Sequence, residues 1–115
     1  MADSLKQNRD FLSLLLLNKK TEKIQICALL ETINSSQLHS ICIILSNIIK
    51  DDYPLSKLQR KKIKENKRLI KRVLDKKTTN TKKYNIISRN SYKIYSLLIL
   101  STPLIKGIIN TNVIN

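Results

Sequence analysis

The sequence predicts an all-α protein, and three observations carry that expectation. One Gly and two Pro in 115 residues are too few for the punctuated turns of a β-sandwich or barrel. Apolar residues make up 42% of the chain and are overwhelmingly Ile and Leu, enough for a modest core in one small domain. They also recur at helical spacing, as Ile26, Leu29, Leu30 and Ile33 do in an unbroken stripe. The expected architecture is a neutral unit of about three helices over 1–53 and a long basic amphipathic helix opening a basic arm over 54–93. An apolar C-terminal segment over 94–115 completes it.

A first helix is expected over 4–17, with Leu5, Phe11, Leu12, Leu15 and Leu16 apolar. Asn18-Lys19-Lys20-Thr21 reads as its end, with Thr21 capping a second helix that runs to about Ile33. Asn34-Ser35-Ser36-Gln37 then offers a cap with a Gln in the reach-back position of a capping box. The third helix runs to about Lys50. It places Leu38, Ile41, Cys42, Ile44, Leu45, Ile48 and Ile49 on one face and Ile43 opposite. The core expected of this unit is Ile26, Leu30, Leu38, Ile41, Leu45 and Ile48.

Asp51-Asp52-Tyr53-Pro54 ends the third helix, because Pro54 disfavours the α region at Tyr53. Ser56 caps a fourth helix, expected from Lys57 to about Lys77. Ile63, Asn66, Leu69, Ile70, Val73 and Leu74 share one side of it, and Lys57, Arg60, Lys61, Lys64, Lys67, Arg68, Lys71 and Arg72 share the other. Unbroken, it would span about 31 Å, roughly one turn of duplex DNA. Thr78–Thr81 reads as a break. Lys82–Lys93 reads as one short helix with Tyr84, Ile86, Ile87 and Tyr92. Residues 94–109 are almost wholly apolar, yet too short and too interrupted by Pro103 and Lys106 to span a bilayer, which needs about 20 residues. They suit a last core helix or an interfacial membrane segment.

Charge gives the sharpest functional signal. Residues 57–93 hold fifteen Lys/Arg against Glu65 and Asp75, whereas residues 1–56 carry six basic and six acidic side chains. Clustered like charge destabilises a compact state, so the segregation implies a polyanionic partner, for which nucleic acid is the first expectation. The candidate contacts are Lys57, Arg60, Lys61, Lys64, Lys67, Arg68, Lys71, Arg72, Lys76, Lys77, Lys82 and Lys83. Lysine dominates and no aromatic residue interrupts 57–77, so phosphate contact is expected without base reading or stacking. DNA is the expected nucleic acid, and the same basic block fits a nuclear-localisation patch.

Other chemistries lack their residues. Gly107 alone excludes a Gly-rich phosphate loop or dinucleotide fingerprint, and His39 has no nucleophile pattern beside it. Cys27, His39 and Cys42 lack the paired spacing of a zinc site, so no metal and no cofactor are expected. Two cysteines without a secretory signal read as reduced and intracellular. The chain is expected to be non-enzymatic.

The block over residues 28–83 resembles small basic proteins of animal adintoviruses and related Maverick/Polinton elements. The resemblance rests on Leu29-Leu30, Gln37-Leu38, Cys42, Pro54-Leu55-Ser56, the basic helix from Lys57 to Lys77, and the apolar Leu97–Ile109. Pro-Leu-Ser followed by the basic helix is its most specific element. In that family the junction before the apolar tail is similar to the adenovirus core peptide Mu, or protein X. Ser88-Arg89-Asn90-Ser91 stands here where that family often has Arg-Gly-Gly, which removes the glycines that a viral-protease cleavage site needs. The resemblance implies a genome-condensing or minor virion component, located in the virion and the host nucleus. Two alternatives remain at this level: a membrane-active virion peptide working through 94–109, and a helical adaptor with a nuclear-localising arm. Self-association or a capsid partner fits each reading.

Overall fold

A computed structural model describes residues 2–17 and 22–107, with side chains from Leu5 onward. The protein is all-α, about 80% helical with no strand among the described residues. The elements are α1 (Ala2–Gln7), α2 (Arg9–Leu12) with a π-turn (Ser13–Leu17), α3 (Lys23–Glu31), α4 (Ser35–Ile48), α5 (Lys57–Glu65), α6 (Lys67–Leu74), α7 (Asn80–Arg89) and α8 (Ser91–Leu98). A 3₁₀ turn (Ile99–Ser101) follows, and residues 102–107 are again helical.

Local cap chemistry sets several of these boundaries. At the start of α4, Gln37 N donates to Asn34 Oδ1 at 2.8 Å and Asn34 N donates to Gln37 Oε1 at 2.9 Å. Each satisfies an amide that the first helical turn leaves without a partner. Ser56 and Gln59 repeat the device at α5, with bonds of 3.2 and 2.9 Å. At α3 the capping residue is Glu22, whose N–H donates to Gln25 Oε1 at 3.0 Å, while Thr21 lies outside the described residues.

Three of the expected helices are divided, each at an asparagine. The first breaks at Asn8, the long basic helix at Asn66 and the segment 82–93 at Asn90. Their backbones nearly coincide, at φ −104, −110 and −123° with ψ 25, 13 and 29°. That is close to the bridge region, where α-helical geometry lapses for one residue. Asn66 Nδ2 donates to Lys62 O at 2.9 Å and Asn90 Nδ2 to Ile86 O at 2.8 Å, so each side chain competes for the carbonyl four residues back. The next helix restarts at once, with Ile70 N bonded to Asn66 O and Ile94 N to Asn90 O. The basic segment is therefore two short helices rather than one 31 Å rod, and Lys76 and Lys77 lie past its end, on the turn after α6.

One hydrophobic cluster runs from Leu5 to Ile105 and draws on the neutral half, the basic helices and the apolar tail alike. α4 lies at its centre, against α1, α6, α8 and the 3₁₀ turn, while α3 lies against α7 and α8. Ile41, Ile44 and Leu45 of α4 are fully enclosed. Ile43, expected opposite the core face, is half-buried against the same cluster. In the tail, Ile94, Leu97, Leu98 and Ile105 are fully enclosed, so 94–107 forms the last wall of the core. Ile108 and Ile109 lie outside the described residues. No helix of the described residues is long and apolar enough to cross a membrane.

Candidate nucleic-acid interface

The amphipathic reading of the basic segment survives the bend at Asn66. Ile70 and Val73 of α6 are fully enclosed, and Ile63, Leu69 and Leu74 are half-buried against the same core. Burying side chains of this size contributes about 1.5–3 kcal/mol each. With that face inward, Lys64, Lys67, Arg68, Lys71 and Arg72 point outward and are exposed. Lys57, Lys61, Lys76, Lys77 and Lys82 are exposed as well.

α5 is the looser half of the pair. None of its residues is fully buried, and Leu58 is 79% exposed. Ile63 holds it from the apolar side and Arg60 from the other. The Arg60 guanidinium donates to Asp51 O at 2.8 Å and to Tyr53 O, closing the loop that leads from α4. Arg60 is thus committed to positioning α5, and its geometry differs from that of the free cations expected beside it.

Two adjoining shallow grooves carry part of the remaining charge. The first, of about 740 Å³, follows α6 and is lined by Lys64, Lys67, Arg68, Lys71 and Arg72 together with Glu65 and Asp75. The second, of about 580 Å³, lies between α6 and α7. Arg72 and Asp75 belong to both, and Lys82, Asn85 and Arg89 of α7 complete the second. Among the described residues none of these cations forms an ion pair with Glu65 or Asp75; the close pair is Arg9 with Asp10 at 3.9 Å. Asp75 instead accepts from Lys77 N at 2.9 Å, which folds the turn after α6.

Lys83 departs from the expected set. It is half-buried and lies near Cys42 of α4, where its ammonium favours the thiolate. Burial outweighs that attraction and pushes the Cys42 thiol up from its ordinary value. Burial raises the Tyr53 phenol in the same way. Arg89 and Asn85 were absent from the expected contacts. Their signal was the spacing Lys82, Asn85, Arg89 at i, i+3, i+7, which puts the three on one face of α7. The sequence break at 78–81 hid that face from α6.

His39 is exposed, while Cys27 and Cys42 are half-buried with free thiols. Among the described residues no group of three His, Cys, Asp or Glu side chains could hold a metal ion. No family model, curated protein or solved structure matches the chain.

Proposed function

We propose that this protein is a non-enzymatic, sequence-nonspecific nucleic-acid-binding protein that grips phosphate through the cationic outer face of α6 and the end of α5. The observation that carries the reading is the unneutralised row Lys64, Lys67, Arg68, Lys71 and Arg72, held outward because Ile63 of α5 packs on the core and Ile70 and Val73 of α6 are buried in it. A row of cations displayed on an anchored helix meets a phosphate backbone together, and counterion release supplies the affinity. Lysines without interleaved aromatic residues suit packaging or positioning rather than base reading. Genome condensation in a virion or mobile element is the form of this function that the resemblance to adintovirus and Maverick/Polinton proteins implies.

The membrane reading draws little support from the tail, since its large apolar side chains Ile94, Leu97, Leu98 and Ile105 are enclosed. Deleting the tail would therefore dismantle the core, and point substitutions are the proper test. The combined variant Lys67→Ser, Arg68→Ser, Lys71→Ser, Arg72→Ser changes exposed positions alone. It is expected to keep the helical circular dichroism of the parent and to lose at least tenfold in affinity for a DNA duplex at 100 mM salt. Undiminished DNA binding, or binding confined to anionic vesicles, would refute the proposal.

A further inference from the structure

We infer that the bound phosphodiester backbone does not stay on the basic helix but turns at Arg72 into the groove between α6 and α7, where Lys82, Asn85 and Arg89 take it up. The inference rests on the nucleic-acid reading above and assigns the path within it. Arg72 is the hinge of that path, because it lines both grooves. On the α7 side the exposed Lys82 and Arg89 bring two further cations, and the exposed Asn85 between them brings a neutral amide donor. Arg offers a bidentate fork to phosphate that Lys lacks, so Arg72 and Arg89 give this crossing its most directional contacts.

The opposite direction, back along α5, is poorer. The pocket on that side, of about 270 Å³, sets Arg60, Lys64 and Lys67 against Asp51 and a wall of isoleucines; Arg60 is held there by the carbonyls of Asp51 and Tyr53, and Lys57 and Lys61 do not line it. Asp75 sits in both grooves, so its carboxylate lies inside the path and repels the phosphate that passes it. Its Oδ1 also accepts from Lys77 N, a role that an Asn side chain reproduces. Asp75→Asn therefore removes a charge while leaving the turn intact.

The path is tested with a short labelled DNA duplex titrated at several salt concentrations, with fold checked by circular dichroism. Lys82→Ser/Arg89→Ser is expected to lower the slope of log K against log salt by about two, since each phosphate contact contributes about one. Asp75→Asn is expected to tighten binding about two- to fivefold at 50 mM salt, and it tests the crossing independently should the double variant fold poorly. Lys57→Ser/Lys61→Ser is expected to leave the slope unchanged. A parent that binds steeply, together with an unaltered Lys82/Arg89 variant and a weakened Lys57/Lys61 variant, would overturn the path while leaving the proposed function standing. A parent that does not bind the duplex would overturn both.

Discussion

At the scale of single residues, asparagine marks three of the places where this chain bends. Asn8, Asn66 and Asn90 each close one helix and open the next in almost the same backbone conformation. Asn8 also ties two segments together. Its buried amide donates to Ser36 Oγ at 3.0 Å and Ser40 Oγ at 2.9 Å, joining the α1–α2 corner to the first turns of α4. Asn8→Ala removes both donors and is expected to cost about 1–3 kcal/mol in urea unfolding. Cys42 bears on alkaline pH. Its folded-state pKa lies above the unfolded value because burial disfavours the thiolate. The stabilisation is thus complete below the ordinary thiol range and is lost as pH rises through the raised value. Unfolding midpoints followed upward from pH 8 should fall, and Cys42→Ala should flatten that fall.

At the scale of elements, what was legible in the sequence was local. The Asn34–Gln37 and Ser56–Gln59 boxes bond within one turn, so the residue types alone place the starts of α4 and α5. The sorting of cations from Ile70 and Val73 was legible for the same reason, since a period of 3.6 residues needs no knowledge of neighbours. The breaks were not legible. Asn47 Nδ2 donates to Ile43 O at 3.1 Å, as Asn66 does to Lys62 O, but α4 ends one residue later, at Ile48, and no helix restarts there. The same local bond stands at a bend in one segment and at a helix end in another, so it does not by itself say whether a helix restarts beyond it. The α6–α7 groove was hidden likewise: Arg72 and Lys82 line it from either side of a turn that the sequence shows only as a polar break. Two expectations follow for these elements. Ser56→Ala should cost about 0.5–2 kcal/mol and loosen the start of α5. Amide exchange should be faster throughout α5, which buries no residue fully, than in α4 and α6.

At the scale of the whole molecule, one core explains why a chain with net charge +14 stays compact. The neutral α4 at the centre contributes Ile41, Ile44, Leu45 and Ile48, and the basic helices add Ile70, Val73 and Ile87 around it. Like charges are thereby spread over an outer surface instead of crowded on a single tail. Ile41→Asp places an unpaired charge at a fully enclosed position, a loss of about 3–5 kcal/mol that should bring the unfolding of the whole molecule to much lower urea. Far-ultraviolet dichroism and the signals of Tyr92 and Tyr95 should then disappear together, as one cooperative unit requires.

The central claim is that this surface holds nucleic acid by phosphate charge alone. Its most direct test is the affinity of the intact chain for a duplex of arbitrary sequence between 50 and 200 mM salt. Contact with 6–10 phosphates predicts a loss of about 10³–10⁵ over that range, unchanged when the sequence is scrambled. An affinity that stays level with salt, or that follows the base sequence, would contradict it.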